Sequence, residues 1–387
     1  ILFIMKIKNL LARTAMAAMA FTACNKDENG AGVSDNTPKS VTLSLKNVVP
    51  GTRADLPVGA QTKVTVNDLQ VFFVSGNTLV QGKTVDNQAA EHYFDFTDEG
   101  FTKLENQVFH FLPSNVTKVI VIGNLGAKSE AATVGDLKQS LAIADEQDDA
   151  NLSLYAEAEL DKITGTDDKG HPLYEVSVSL VPRVSRIEVA SFKYNAVLDE
   201  DGQTELPRDY TSIAVKQVVL NNYYETAKFA DGAVIGAIKS EPIDDEKAAE
   251  FFLNAAKQQD GVGFWYNDTI DPAIDLNAAA SYAKTYADGE ARPAYHFFPN
   301  ATNIGTTAQP QLAVQLIGTK ADGTQVPLYL LTSRFTTNGE PAITNEFAKI
   351  YRVSFAFNDN DLKQELKCVD VTVDVVAWEV KEVNAEF

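Results

Sequence analysis

The sequence is poor in the residues that most protein chemistry requires. Its 387 residues include two cysteines and four histidines, too few for zinc fingers, thiolate clusters or a disulfide scaffold. Basic residues number 33 against 53 acidic ones, a formal charge of −20 at pH 7. That balance lacks the basic footprint that binds phosphate backbones, so no nucleic-acid partner is expected. No paired-carboxylate or nucleophile arrangement stands out, and Gly261-Val-Gly263-Phe264 lacks the third glycine and the preceding strand of a dinucleotide loop. His92, His110, His171 and His296 fall without metal-ligand spacing, and neither Asp148-Asp149 nor Asp167-Asp168 follows a calcium-loop pattern. Both acidic pairs read as solvated turns, and Phe264, Trp265 and Tyr266 as a packed or half-exposed loop. No enzyme activity, metal or cofactor is expected. What is present is an ordinary globular balance, 45% hydrophobic and 22% charged, in a chain long enough for two or three domains.

The N-terminus carries an export signal. With Met5 read as the start, Lys6, Lys8 and Arg13 precede the apolar stretch Ala15–Phe21 and the small residues Thr22-Ala23 before Cys24. A basic region, a short apolar region and a small-residue cut site make a secretory signal peptide. The apolar stretch is about half the roughly 20 residues that a membrane-spanning helix needs. Phe21-Thr22-Ala23-Cys24 resembles a bacterial lipobox, in which Cys24 is acylated and becomes the new N-terminus. Asn25-Lys26-Asp27-Glu28 resembles the surface-export signal of Bacteroidetes lipoproteins, and acyl chains would hold the precursor on the outer membrane. Residues 29–40, rich in Gly, Asn, Ser and Asp, form a flexible tether.

Strand signals dominate the rest. Val41, Leu43 and Leu45 alternate with polar residues, as do Val64 and Val66 leading into Leu69–Val74. Val119-Ile-Val-Ile122 is a continuous apolar run, the pattern of a strand buried on both faces. Further strands are expected at Tyr174–Leu180, Ile187–Val189, Ile213–Val218, Leu312–Leu316, Tyr329–Leu331 and Ile350–Phe357. Helices are expected only at Thr133–Ile143, Glu246–Ala256 and Leu276–Tyr286. Many short strands between turns imply stacked sheets rather than a parallel α/β core. The signals also run in the same order twice: 41–45 then 64–74 are echoed by 187–189 then 213–220, and 119–123 by 312–318. Duplication of a sandwich, with a boundary near Leu180-Val-Pro182, explains the echo.

Two segments point to assembly. Pro50-Gly-Thr-Arg53-Ala54-Asp-Leu-Pro57 is a turn directly after the first strand, and such turns are open to proteases. A cut between Arg53 and Ala54 would release the strand carrying Val41, Leu43 and Leu45. It would remove seven basic and three acidic residues and carry the formal charge from −20 to −24. An apolar slot with unpaired backbone groups along its lips would remain. At the other end, Val369, Val371, Val373 and Val375 alternate, and at Val376 the parity flips, so that Val376, Trp378 and Val380 share the opposite face. Fifteen extended residues reach about 50 Å, longer than the usual final strand of one domain. Such a tail can fill a slot in another subunit, and a slot at one end with a strand at the other gives an open head-to-tail polymer.

These features together resemble the Bacteroidales fimbrillins, the FimA/Mfa-type major fimbrial subunits. The resemblance rests on Cys24, Thr52-Arg53-Ala54, the strand through Asn124, Pro182-Arg183-Val-Ser-Arg186-Ile187, Phe297-Phe298-Pro299-Asn300 and the closing valine run to Trp378. It implies an all-β chain of two tandem transthyretin-like β-sandwich domains with a few short helices. The implied divisions are a signal peptide (1–24), a propeptide with tether and first strand (25–53), an N-terminal sandwich (54–180) and a C-terminal sandwich (181–387) ending in a donor strand from about 369. It further implies cleavage by an arginine-specific surface protease, with 41–49 as the displaced strand and 369–383 as the donor. The expected product is the stalk of a cell-surface fimbria, joined by anchor and tip subunits and serving adhesion to host proteins or other bacteria and biofilm formation. The alternative is a tip adhesin or a monomeric surface lipoprotein that binds host ligands or glycans.

Overall fold

The computed structural model describes residues 37–46, 49–50, 65–95, 98–137, 140–257, 265–277, 282–299, 310–337, 340–341, 346–362 and 367–377. Cys24, Arg53, Ala54, Trp378 and Val380 lie outside them, as do Gly261 to Phe264 and Asn300. The protein is all-β, with stacked sheets and few helices.

In the first half, period-two alternation becomes two facing sheets. One has the order Asp161–Thr166, Pro172–Ser179, Lys39–Lys46, Val108–Leu112. The other runs Val181–Pro182, Leu154–Glu159, Lys118–Gly123, Asp68–Ser75, Thr78–Val80, with Tyr93–Asp95 also on Asp68–Ser75. Between them Val41, Phe109 and Val176 pack against Leu69, Val71, Phe73, Val119, Val121 and Leu154. The intervening residues of the second sheet, Phe72, Val74, Ile120, Ile122 and Tyr155, belong to a separate core. Val119 to Ile122 are therefore apolar throughout because both faces of their strand are covered; none is more than 2% exposed.

That second core is shared with residues after 182. It includes Val218, Tyr223, Phe229 and Tyr295, and Phe229 meets Tyr155 edge-on at 5.4 Å. Ser140–Ala142 pairs with Tyr223–Lys228, and the Arg183 guanidinium stacks 4.2 Å above the Tyr155 ring. A buried ion network adds to the junction: Arg186 lies 2.9 Å from Asp149 and 3.0 Å from Glu188. Glu188 also takes Arg352 at 2.8 Å, and Asp149 lies 2.8 Å from His296. Asp148 is exposed as expected, but Asp149 is buried. Its burial opposes ionisation, yet His296 and Arg186 hold its carboxyl below the usual carboxylate range. On either side of Arg183 the chain changes partners, Val181–Pro182 pairing with Leu154 and Tyr155 and Ser185–Tyr194 with Lys349–Phe357.

The duplicated order is visible in the pairing. Asp68–Ser75 is antiparallel to Lys118–Gly123, which is antiparallel to Leu154–Glu159. Ser212–Asn221 is likewise antiparallel to Gln311–Thr319, which is antiparallel to Gln325–Thr337. Lys39–Lys46 lies parallel to Pro172–Ser179 and antiparallel to Val108–Leu112. Ser185–Tyr194 lies parallel to Lys349–Phe357 and antiparallel to Ala294–Phe297. One difference matters: in the second half the closing strand, Lys367–Ala377, stands between Gln325–Thr337 and Lys349–Phe357 and joins two sheets into one of ten strands.

The helix expectations fare unevenly. Asp245–Ala256 is helical, with Asp244 as N-cap accepting from the Lys247 backbone N–H. Thr133–Ile143 is instead a single 3-10 turn, Val134–Leu137, followed by the strand Ser140–Ala142. There Asp136 turns back to accept from Ala132 N, Thr133 N and Thr133 Oγ1, and Leu141 is buried opposite Ala227. Leu276–Tyr286 is not a helix either: Leu276 and Asn277 form a turn, and Ala283–Thr285 pairs with Ser191–Lys193. The helix Asp98–Asn106 had no counterpart among the expected elements.

Truncating Leu69 or Ile120 to alanine, one in each core, is expected to cost about 2–5 kcal/mol each in urea unfolding. Leu253→Ala, at a 52% exposed helix position, should stay within about 0.5 kcal/mol.

Candidate functional site

The site is the place that the first strand occupies. Val41 is fully buried and Leu43 is 4% exposed; Leu45 is half-buried against the same core. Seven consecutive residues, Ser40 to Lys46, pair in parallel with Leu173 to Ser179. On the other side Lys39, Val41 and Thr42 pair with Leu112, Phe109 and Val108. The strand is therefore internal, and its departure would expose two sheet edges above an apolar floor. After it, Val49–Pro50 pairs in parallel with Thr65–Val66, and Arg53 and Ala54 fall between those two segments in sequence.

A polar cluster that sequence reasoning missed closes the N-terminal end of the slot. Between Lys39 and Val41 the antiparallel register shifts, so that His110 and Phe111 together oppose Ser40. Phe111 takes the left-handed conformation, φ 58°, which for a bulky side chain is strained. Bulges re-aim side chains, and here the His110 ring meets both Ser40 Oγ, at 3.1 Å, and Asp167 Oδ2, at 2.8 Å. Ser40 Oγ donates to Asp167 Oδ2 at 2.6 Å. The same oxygen lies 3.1 Å from His171 Nδ1, while Oδ1 accepts from the backbone N–H groups of Lys169 and His171. Ser40 is fully buried and the Asp167 side chain is 3% exposed. Burial opposes the charge of Asp167, but the hydrogen bonds from Ser40, His110 and the two backbone groups outweigh it. They hold its carboxyl far below the usual range.

This is a correction to the solvated-turn reading of Asp167 and to the scattered reading of His110 and His171, while Asp168 is exposed in the turn as expected. The signal was local: His171 follows Asp167 by four residues across a tight Gly170 turn. The cluster is not a catalytic triad. Ser40 and Asp167 both address Nδ1 of His110, so the ring cannot take a proton at one nitrogen while leaning on the carboxylate through the other. His92 and His296 serve elsewhere, His92 between the carbonyls of Val71 and Gly82 and His296 on Asp149. Among the described residues no group of three His, Cys, Asp or Glu side chains is set to hold a metal ion, and no helix is long and apolar enough to cross a membrane.

The expected donor residues are found at home. Val369 and Val371 stand in register with Thr332 and Phe335, and Val373, Val375 and Val376 with Val353, Tyr351 and Ile350. The ladder from Ser354–Thr372 to Lys349–Ala377 has no bulge. First and closing strands share one setting, a parallel neighbour on one side and an antiparallel neighbour on the other. Trp265, read as part of a packed or half-exposed loop, is half-buried between Phe251 and Tyr223.

Because the Asp167 carboxyl is depressed in the folded state, the unfolded chain binds its proton first as pH falls. Its stabilisation is complete well above about pH 4 and is lost progressively below it. Urea midpoints of the wild type and Asp167→Asn should differ most at pH 7 and converge as pH falls below about 4; a constant gap would exclude this role.

No protein-family profile matches the chain, and no characterised protein matches it by sequence. In three dimensions it is similar to a protein of Bacteroides eggerthii assigned to cell adhesion: 18% identity, 90% of this chain and 98% of that one, TM-score 0.46. It is also similar to a fimbrilin, FimA, of Porphyromonas gingivalis: 11% identity, 89% of this chain and 98% of that one, TM-score 0.42. A third likeness is to the fimbrial anchor protein Mfa2 of Porphyromonas gingivalis: 12% identity, 89% and 100% coverage, TM-score 0.32. The chain thus resembles fimbrial and cell-adhesion proteins of the Bacteroidales over about nine-tenths of its length.

Proposed function

We propose that the chain is a structural subunit of a cell-surface fimbria, made as a lipoprotein through Cys24 and built into a stalk by strand exchange. The observation that carries the reading is the place of Lys39–Lys46: an internal strand with a fully buried Val41, with the Arg53-Ala54 pair shortly after it in the sequence. One cut by an arginine-specific protease turns this strand from part of the chain into a bound peptide. Val41 and Leu43 each contribute about 1.5–3 kcal/mol by burial, so cleavage alone leaves the peptide seated and a competing strand must replace it.

The closing strand of another copy is the competitor. It repeats the alternation of the first strand, Val369, Val371, Val373 and Val375 against Val41, Leu43 and Leu45, and it already sits between a parallel and an antiparallel neighbour. Among the described residues, the first half of the molecule is a sandwich without a strand joining its two sheets. By that precedent the second half can release its closing strand and keep both sheets. Trp378 and Val380 extend the donor. Repetition gives a head-to-tail polymer of one chain, with anchor and tip subunits at its ends and adhesion as its use.

The home pairing of Lys367–Ala377 favours a second reading, a tip adhesin or monomeric surface lipoprotein whose tail never leaves. Precursor treated with an arginine-specific protease separates the two by N-terminal sequencing and negative-stain microscopy. The stalk reading expects a new terminus at Ala54 together with filaments or an SDS-resistant ladder. A new terminus with monomers alone supports the second reading. Arg53→Ala should leave an uncut monomer, and removal of 369–387 a cut monomer. At −24 per cut subunit, long-range repulsion opposes association, so the assembly rate should rise as ionic strength increases from about 0.01 to 0.15 M.

A further inference from the structure

The slot presents a buried carboxylate to the strand at the end that Asp167 closes; the strand's other side-chain hydrogen bonds, from Lys39, Thr42 and Ser44, go to the Val116 and Tyr174 carbonyls and the Ser177 hydroxyl. From the first strand, the Ser40 hydroxyl donates to the Asp167 carboxylate, and Ser40 is fully buried there. When the strand leaves, Asp167 Oδ2 loses a hydroxyl donor while keeping His110 and His171. A buried carboxylate short of a donor is costly. A second carboxylate in Ser40's place is worse, since two such groups at hydrogen-bond distance cannot both stay ionised.

From this, and resting on the strand-exchange reading above, we infer that Asp167 sets the register of the incoming closing strand by requiring a hydroxyl where Ser40 now sits, and that Thr372 of a second copy supplies it. The pattern of the strand makes the selection sharp. Positions with the parity of Ser40, whose neighbours are the valines, are Cys368, Asp370, Thr372 and Asp374. A slip of two residues in either direction brings Asp370 or Asp374 against Asp167. A slip of four brings Cys368, whose thiol is a weak donor. With Thr372 in place, Val373 takes the position of Val41 opposite Tyr174 and Phe109, Val375 that of Leu43 opposite Val176, and Ala377 that of Leu45. The smaller side chains underfill the end near Leu45, which is only half-buried. The loss of a partner for Asp167 would fall where water does not reach.

Disulfide cross-linking reads the register without altering the cluster. Glu175 is exposed on the parallel lip and pairs with Thr42. In the inferred register Asp374 replaces Thr42; in the register four residues away Asp370 does. The full chain with Glu175→Cys and Asp374→Cys, cleaved and assembled, should give a reducible ladder, with the bonded peptides identified by mass spectrometry. The Glu175→Cys, Asp370→Cys chain should not. Separately, Thr372→Val should slow assembly by roughly tenfold to a hundredfold, the effect of one hydrogen bond to a charged group, and Thr372→Ser should restore it. Cross-linking at 370, or Thr372→Val assembling at the wild-type rate, overturns the register while leaving strand exchange intact. If wild-type chain cut after Arg53 forms no polymer, this inference and the stalk reading fall together.

Discussion

A β-sheet above a hydrophobic core cannot lack an internal strand, because every exposed edge carries backbone donors and acceptors that need partners. That constraint governs both ends of this molecule. The first strand satisfies two edges of the first half, and the closing strand satisfies two edges of the second. Between them, the two-faced sheet through Val119–Ile122 and the ion network around Arg186 and Glu188 form the frame that joins the two halves. The frame is continuous, because the core shared by Tyr155 and Phe229 couples the two halves. Tension along a polymer of such units would pass through side-chain packing and not through a linker.

The two ends differ in how they are held. The closing strand pairs along both sides and joins two sheets, whereas among the described residues the two sheets of the first half stay separate. The first strand is held by ladder bonds, by Val41 and Leu43 in the core, and by the Ser40–Asp167 contact at its N-terminal end. The positive φ of Phe111 is strain kept at that contact, and it places His110 where a regular strand would not.

Much of the fold was legible in the sequence because two-residue alternation maps directly onto sheet faces. The run Val119–Ile122 announced its double burial, and the repeated order of strand signals matches the repeated order of pairing. Local propensity failed where tertiary partners decided. Thr133–Ile143 has helical spacing, but its second part is drawn into pairing with Tyr223–Lys228. The first strand was legible from its alternation, while the polar lock on it was not. Asp149 and Asp167 look like solvated turn residues until Arg186, His296, Ser40 and His110 arrive from distant parts of the chain. The length of the tail suggested a spare strand, and only the pairing shows that the chain has its own place for residues 367–377.

The central claim is that the first strand leaves and another fills its place. The most direct measurement is the mass composition of washed filaments made from precursor cut after Arg53. The account predicts subunits of residues 54–387 with the fragment that ends at Arg53, and with it the strand Lys39–Lys46, gone from the polymer and recovered in the wash. Filaments that retain that peptide in equal number with the subunits would contradict it, since the slot would then still hold its original strand.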